Sequence, residues 1–288
     1  MEPRRRDFLM AASAVAGSSI LDGCAGNPNP SAGQGRCIVV SLQGGASQVD
    51  TFDPKKTGWF PSRATSVAGM VLSEHFPALA EHARDLAFIR SMAGIHTHHE
   101  LASAHMRRGL ECLGESCTVG GPTTSTVEAP SGNELRLEYR SRLQAALVAA
   151  EQGERLVLAT LGGWDTHTHA RDSTRMRSCA LDDALDDFLS SAAWRRLRSN
   201  TVVLISGEFG RDPDLNDFGG RGHHIACWTA IVAGGRFRSG IVRGATDTEG
   251  RRSVVDETQV EELHATVLAA LDEPSAHDFA PINSLLLT

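Results

Sequence analysis

Four short apolar runs rich in β-branched residues, each running into glycine, constrain this chain more than any other feature. They are Cys37–Gln43, Arg155–Leu161, Thr201–Ser206 and Trp228–Gly234. Unbroken apolar runs of this length, without polar alternation, fit strands buried on both faces, and such strands form parallel sheets covered by helices. Between them, helical spacing of apolar residues predicts helices over Pro77–Ile89, Leu135–Gln152, Ser178–Leu197 and Gln259–Leu271. In the third, Leu181, Ala184, Leu185 and Phe188 share a face opposite Asp182, Asp183 and Asp187. Strand alternating with helix predicts an α/β fold, a single domain with a mainly parallel, doubly wound sheet flanked by helices. The Gly, Pro and hydroxyl-rich stretch 118–133 predicts a surface loop.

The chain has 288 residues, within what one hydrophobic core serves. Its formal net charge of −7 gives no electrostatic reason for nucleic-acid binding, which needs concentrated positive charge. No window offers the roughly 18 to 20 apolar residues of a spanning helix.

The N-terminus reads as an address and a tether. Arg4, Arg5 and Arg6 precede an apolar segment, Phe8 to Leu21, that Gly17, Ser18 and Ser19 interrupt, so residues 1–24 predict an export signal. Arg5-Arg6-Asp7-Phe8-Leu9 resembles the twin-arginine signal, which implies the twin-arginine export machinery as a partner and an exported, periplasmic location. Leu21-Asp22-Gly23-Cys24 resembles a lipoprotein cleavage box, although Asp22 departs from the usual small or apolar residue. It implies a membrane contact only through a lipid on Cys24. Residues 25–35, with Gly, Pro, Ser and Asn, suit a flexible linker, and 36–288 the folded domain. Among the other cysteines, Cys112 and Cys117 have the spacing to close a small loop or to stand as two unpaired small hydrophobes.

In an open parallel sheet the strands end along one edge, where ligands bind. Three of the runs open there into GGASQVDTFD (Gly44–Asp53), GGWDTHTH (Gly162–His169) and GEFGR (Gly207–Arg211), while GGRGHH (Gly219–His224) precedes the fourth. Of 12 histidines, seven fall in three groups: His96, His98 and His99; His167 and His169; His223 and His224. Imidazole with carboxylate suits zinc, manganese or iron, and a bound ion of that kind brings the pKa of water toward about 7.

Four blocks of this sequence resemble the domain-of-unknown-function 1501 family: LQGGASQVDTFDPK from Leu42, IRSMAGIHTHHELASAHMRRG from Ile89, LGGWDTHTH from Leu161 and GEFGRDPDLNDFGGRGHH from Gly207. That family is placed in the alkaline-phosphatase-like superfamily of α/β metal-dependent hydrolases. The resemblance implies a divalent metal (zinc, manganese or calcium), a small anionic phosphate or sulfate ester as substrate, and Asp, His and Glu ligands at strand ends. Carried onto this chain, the ligands are Asp165 with His167 or His169, Glu208, His223 and, from the HTHHE block, His99. Gly222 and His224 stand where the family's GGRDHW pattern has Asp and Trp, and Asp212 stands for the Thr of its EFGRTP pattern. The region between Gly109 and Leu135 is shorter than the family's usual length.

Ser47 is the hydroxyl best placed to act as nucleophile, and Arg211 and Arg221 to hold an ester oxyanion. The residues also admit plainer roles. Ser47 suits an N-cap, Asp50 and Asp53 suit either metal ligation or a turn, and both arginines suit pairing with loop carboxylates. Thr97 and Glu100 have capping-box spacing, while His105, Met106 and Gly109 are expected to pack the following helix. A catalytically silent binding or scaffold protein of the same fold is the alternative to an ester hydrolase.

Overall fold

The computed structural model describes residues 34–119, 130–275 and 278–287. The export signal, Cys24 and the tether up to residue 33 lie outside them. The strands are β1 (Arg36–Leu42), β2 (Ser62–Ala64), β3 (Val71–Ser73), β4 (Ala87–Ala93), β5 (Ser116–Val119), β6 (Leu156–Leu161) and β7 (Thr201–Ser206). They continue with β8 (Gly210–Leu215), β9 (Arg221–His224), β10 (Trp228–Gly234), β11 (Ile241–Arg243), β12 (Ala245–Thr246), β13 (Ser253–Val255) and β14 (Thr258–Gln259). The helices are α1 (Pro77–His82), α2 (His99–Arg108), α3 (Gly132–Glu151), α4 (Ala170–Ser190), α5 (Ala192–Leu197) and α6 (Val260–Ala270).

The main sheet has the order β11-β4-β10-β7-β1-β6-β5, with β14 added beside β4. Strand β1 lies between β6 and β7, parallel to both, with Ser41 in register with Thr160 on one side and Ser206 on the other. Its side chains alternate between two cores. Ile38, Val40 and Leu42 join the core under α1, α3, α4 and α5, while Cys37 and Val39 join the core under α2 and α6. A strand with two apolar faces needs helices on both, which is why the run reads as unbroken apolar sequence. The α/β fold with a mainly parallel, doubly wound sheet is therefore the fold of this chain. No helix among the described residues is long and apolar enough to cross a membrane.

Several elements differ from the sequence reading. The helix expected over Pro77–Ile89 ends at His82, and Ala87–Ala93 is the buried strand β4. Strand β10 runs antiparallel to both β7 and β4; the connection from β7 to β10 forms the β8–β9 hairpin and holds no crossover helix. The helix over Ser178–Leu197 starts earlier and breaks at Ser191, whose hydroxyl caps α5 by accepting from the Trp194 N–H at 3.0 Å. Thr118 and Val119, the first residues of the expected loop, belong to β5, which pairs with β6. Thr97 is not a cap: His98 holds that position and makes no side-chain capping bond. Cys112 carries a free thiol, so it does not close a loop with Cys117. His105 and Met106 lie on α2 itself and pack against α6, the last helix, and not against the helix that follows in the chain. The His105 ring meets Glu261 at 2.8 Å, and the Met106 carbonyl meets His264 Nε2 at 3.0 Å.

Helix α1 is short and depends on a distant acceptor. Pro77 has no N–H to satisfy, and the next two N–H groups, of Ala78 and Leu79, donate to the buried Asp182 carboxylate at 3.0 and 2.8 Å. Asp182→Ala strands both donors and is expected to cost about 1–3 kcal/mol. Urea unfolding checks this, as a lower midpoint at unchanged slope.

Candidate metal centre at the strand ends

Because β6, β1 and β7 are adjacent and parallel, the loops that follow them leave the sheet side by side. Two glycines let those loops touch. Gly44, with φ of 109°, places its Cα where a β-carbon would collide with the Asp165 backbone nitrogen, and a β-carbon at Gly220 would collide with the His167 carbonyl. Hydrogen bonds then fix the 162–169 loop. Trp164 N–H donates to Gln43 O (3.1 Å), Tyr139 Oη to Gly162 O (3.0 Å), Arg221 N–H to Thr166 O (3.0 Å) and Asn216 Nδ2 to His167 O (2.9 Å).

Asp165 Oδ1 is the focus of the rim. It lies 2.5 Å from Arg211 Nη2, 3.0 Å from His167 Nε2, 3.3 Å from His99 Nε2 and 3.5 Å from His223 Nε2. One donor atom from each of His99, Asp165 and His223 falls within 4.8 Å of the others. Ligands about 2.0–2.2 Å from one tetrahedral ion stand roughly 3.5 Å apart, a spacing that Asp165 Oδ1 already has to His99 and His223 at 3.3 and 3.5 Å, so the set closes by drawing the two imidazoles together. Both imidazoles are oriented from behind. His223 Nδ1 faces the Thr97 carbonyl at 2.7 Å, and His99 Nδ1 faces Glu208 Oε1 at 2.7 Å. Carbonyl and carboxylate only accept, so each Nδ1 carries a proton and each Nε2 is the ring atom left to serve as a metal ligand beside Asp165. The residues present fit a divalent ion of the imidazole-and-carboxylate class.

Electrostatics support the same reading. Burial pushes the Asp165 carboxyl up, but the Arg211 hydrogen bond and charge, with His99 and His167, outweigh it and hold the group below its usual value. His223 is held below the ordinary histidine range, first by burial and then by Arg211 and its neighbouring imidazoles.

A family model described as protein of unknown function (DUF1501) matches residues 34–135 and 123–279. The chain belongs to that family. No curated protein matches it in sequence. Among solved structures, Ps i-CgsB in complex with k-i-k-neocarrahexaose aligns with a TM-score of 0.52 at 8% identity, over 84% of this chain and 72% of that one. The PsFucS1 sulfatase from Pseudoalteromonas sp. aligns at 0.49 and 10% identity, over 88% and 72%. The C-terminal periplasmic domain of EcEptC from Escherichia coli, in complex with Zn, aligns at 0.47 and 8% identity, over 88% and 92%. At these identities the first likeness speaks for the fold alone.

Within this DUF1501 chain the expected site residues separate into three groups. His99, Asp165 and His223 converge, with His167 beside them, its Nε2 2.9 Å from His223 Nε2. Glu208 stands behind His99 and also accepts from the Gly44 N–H at 2.8 Å, so it orients a ligand and is not one of the converging donors. His169 takes a left-handed backbone conformation at the start of α4 and is exposed, with no hydrogen bond to the group. That turn directs the chain away from the rim.

Ser47 and Arg221 belong to a buried network beneath the site. The Ser47 hydroxyl donates to Asp50 Oδ2 (2.6 Å), and Arg221 Nε meets the same oxygen at 2.8 Å. Arg221 also donates to the Thr57 and Asp212 carbonyls and lies 4.3 Å from the centroid of the Trp59 ring. Asp53 pairs with Lys55 and Arg90. Both arginines thus take the plainer role that the sequence allowed, pairing with loop carboxylates. Sequence reasoning missed the Thr97 carbonyl, since a backbone acceptor carries no residue-type signal.

Because His223 in the folded protein has a depressed pKa, the unfolded chain binds that proton more readily near pH 6.5. The contribution of His223 to stability is therefore complete above about pH 6.5 and lost as pH falls toward its folded value. An NMR titration of its imidazole in metal-free protein is expected to give a midpoint below 6.5, and His223→Gln is expected to flatten that part of the stability profile.

Proposed function

We propose that this DUF1501 member is an exported, metal-dependent hydrolase of phosphate or sulfate esters. In this reading one domain over residues 36–288 follows an export signal (1–24) and a tether (25–35). The observation that carries the proposal is the convergence of His99, Asp165 and His223, each held in place by a second group. Three protein ligands with one side open is the arrangement of catalytic rather than structural sites. A divalent ion there supplies Lewis-acid polarisation of an ester oxygen and a lowered pKa for water. The chain's own residues do the rest. Glu208 and Thr97 fix two imidazoles, Arg211 holds the Asp165 carboxylate ionised, and the exposed His167 ring is placed to pass a proton to a departing alkoxide.

Elemental analysis of purified protein is expected to find about one equivalent of zinc, manganese or calcium, lost in Asp165→Ala and His223→Ala. A panel of aryl phosphates and sulfates is expected to show turnover that both substitutions abolish. Metal-free wild type without turnover would favour a silent binding protein. Two observations favour that second reading: Arg211 already neutralises Asp165, and Gly222 stands where the family pattern has Asp.

A further inference from the structure

On the last step toward the rim, one face of the sheet changes from apolar to hydroxyl on three adjacent strands at once. Under α2 and α6, Cys37 and Val39 are followed by Ser41, Leu156 and Leu158 by Thr160, and Val202 and Leu204 by Ser206. The register sets Ser41 between the other two. These hydroxyls line, with Ser103 of α2 and Glu208, a cavity of about 40 Å³. Glu208 is only 4% exposed, and while its Oε1 serves His99 and Gly44, its buried Oε2 has no hydrogen-bond partner among the described residues. Ser206 is committed elsewhere, donating to Gly207 O at 2.8 Å and accepting from Trp228 Nε1 at 3.1 Å.

We propose that this cavity is a monovalent cation site of sodium size, held by Glu208 Oε2 and the hydroxyls of Ser41, Thr160 and Ser103. The polar donors other than Arg107 present only oxygen, which selects hard cations over the softer metals that imidazole prefers. Ser41 and Thr160 are directly opposite in register on adjacent strands, where side chains on one face are close neighbours, so their hydroxyls are placed to share one ion. Arg107 lines the same cavity. Glu208 is the single carboxylate of the lining, which suits a singly charged ion better than a divalent one, whose sites gather several carboxylates. A volume of this size holds the ion and a water or two. The bound ion would hold Glu208 in the position that orients His99. That consequence rests on the metal-centre reading, whereas the binding itself does not.

The test is thermal unfolding of the full folded chain with chelator present, choline chloride being replaced by sodium chloride or potassium chloride at constant ionic strength. A saturable rise in Tm of about 2–4 °C with sodium, smaller with potassium, is expected. It should vanish in Ser41→Ala and Ser103→Ala while both keep the divalent ion of the rim by elemental analysis. His223→Ala should lose the rim metal and keep the sodium response. Equal Tm in all three salts, a response to potassium alone, or an undiminished response in the serine variants would overturn the proposal. Should the variants unfold, sodium-23 relaxation of the wild type decides, broadening with bound ion and unchanged without it.

Discussion

The guanidinium of Arg211 ties the rim together. Completely buried, it donates to the carbonyls of Gly44 and Gly45 after β1, to Asp165 after β6, and to the Arg221 carbonyl of β9. Carbonyls leaving strand ends lack ladder partners, and burying them unpaired would cost about 1–3 kcal/mol each. One planar fork with five N–H donors answers three carbonyls and the Asp165 carboxylate at once, which a lysine ammonium does not have the geometry to do. Burial lowers the Arg211 pKa, and Asp165 with Glu208 partly restores it. A guanidinium stays protonated through such shifts, so the charge in the loops is permanent.

That permanent charge sets the chemistry available above it. Asp165 is kept ionised, as a metal ligand must be, yet part of its field is already spent on Arg211. A cation approaching His99, Asp165 and His223 therefore meets an ionised oxygen and two oriented imidazoles, but a local charge near zero. Glu208 improves the balance from one step back, since hydrogen bonding to a carboxylate makes the His99 imidazole a stronger donor. Affinity at this rim is thus set by the difference between one clamping arginine and two carboxylates, only one of which faces the ion.

The sequence made β1, β6 and β7 legible to within a residue or two, because strands buried on both faces carry no polar alternation to blur their ends. It misplaced Ala87–Ile89, the first half of β4, where Ala-Phe-Ile continues a helical apolar spacing across the break at Asp85, and periodicity alone does not separate a short buried strand from a helix. The direction of β10 was also hidden, since direction belongs to the connection and not to the strand. In the site, Asp165 was legible by residue type and by its place after a strand end, and His99 and His223 through the blocks that resemble the family. What each neighbour does was not. Glu208 and Asp165 read alike in sequence, and only the folded chain shows one behind an imidazole and the other in front of it.

The same ambiguity attaches to the two arginine–carboxylate pairs, and exposure resolves it. Arg221–Asp50 and Arg211–Asp165 have similar contacts, 2.8 and 2.5 Å. In the first both side chains are wholly buried, Asp50 accepts from Ser47 and from the Trp59 N–H, and no face is left for a ligand. Such a pair holds a loop in place, and breaking it would leave an uncompensated buried charge at a cost of about 3–5 kcal/mol. In the second the arginine is buried but Asp165 is 46% exposed, and three imidazoles share its free side. Chemistry needs a charge that is anchored on one side and accessible on the other. Of the two pairs only Asp165 with Arg211 meets both conditions.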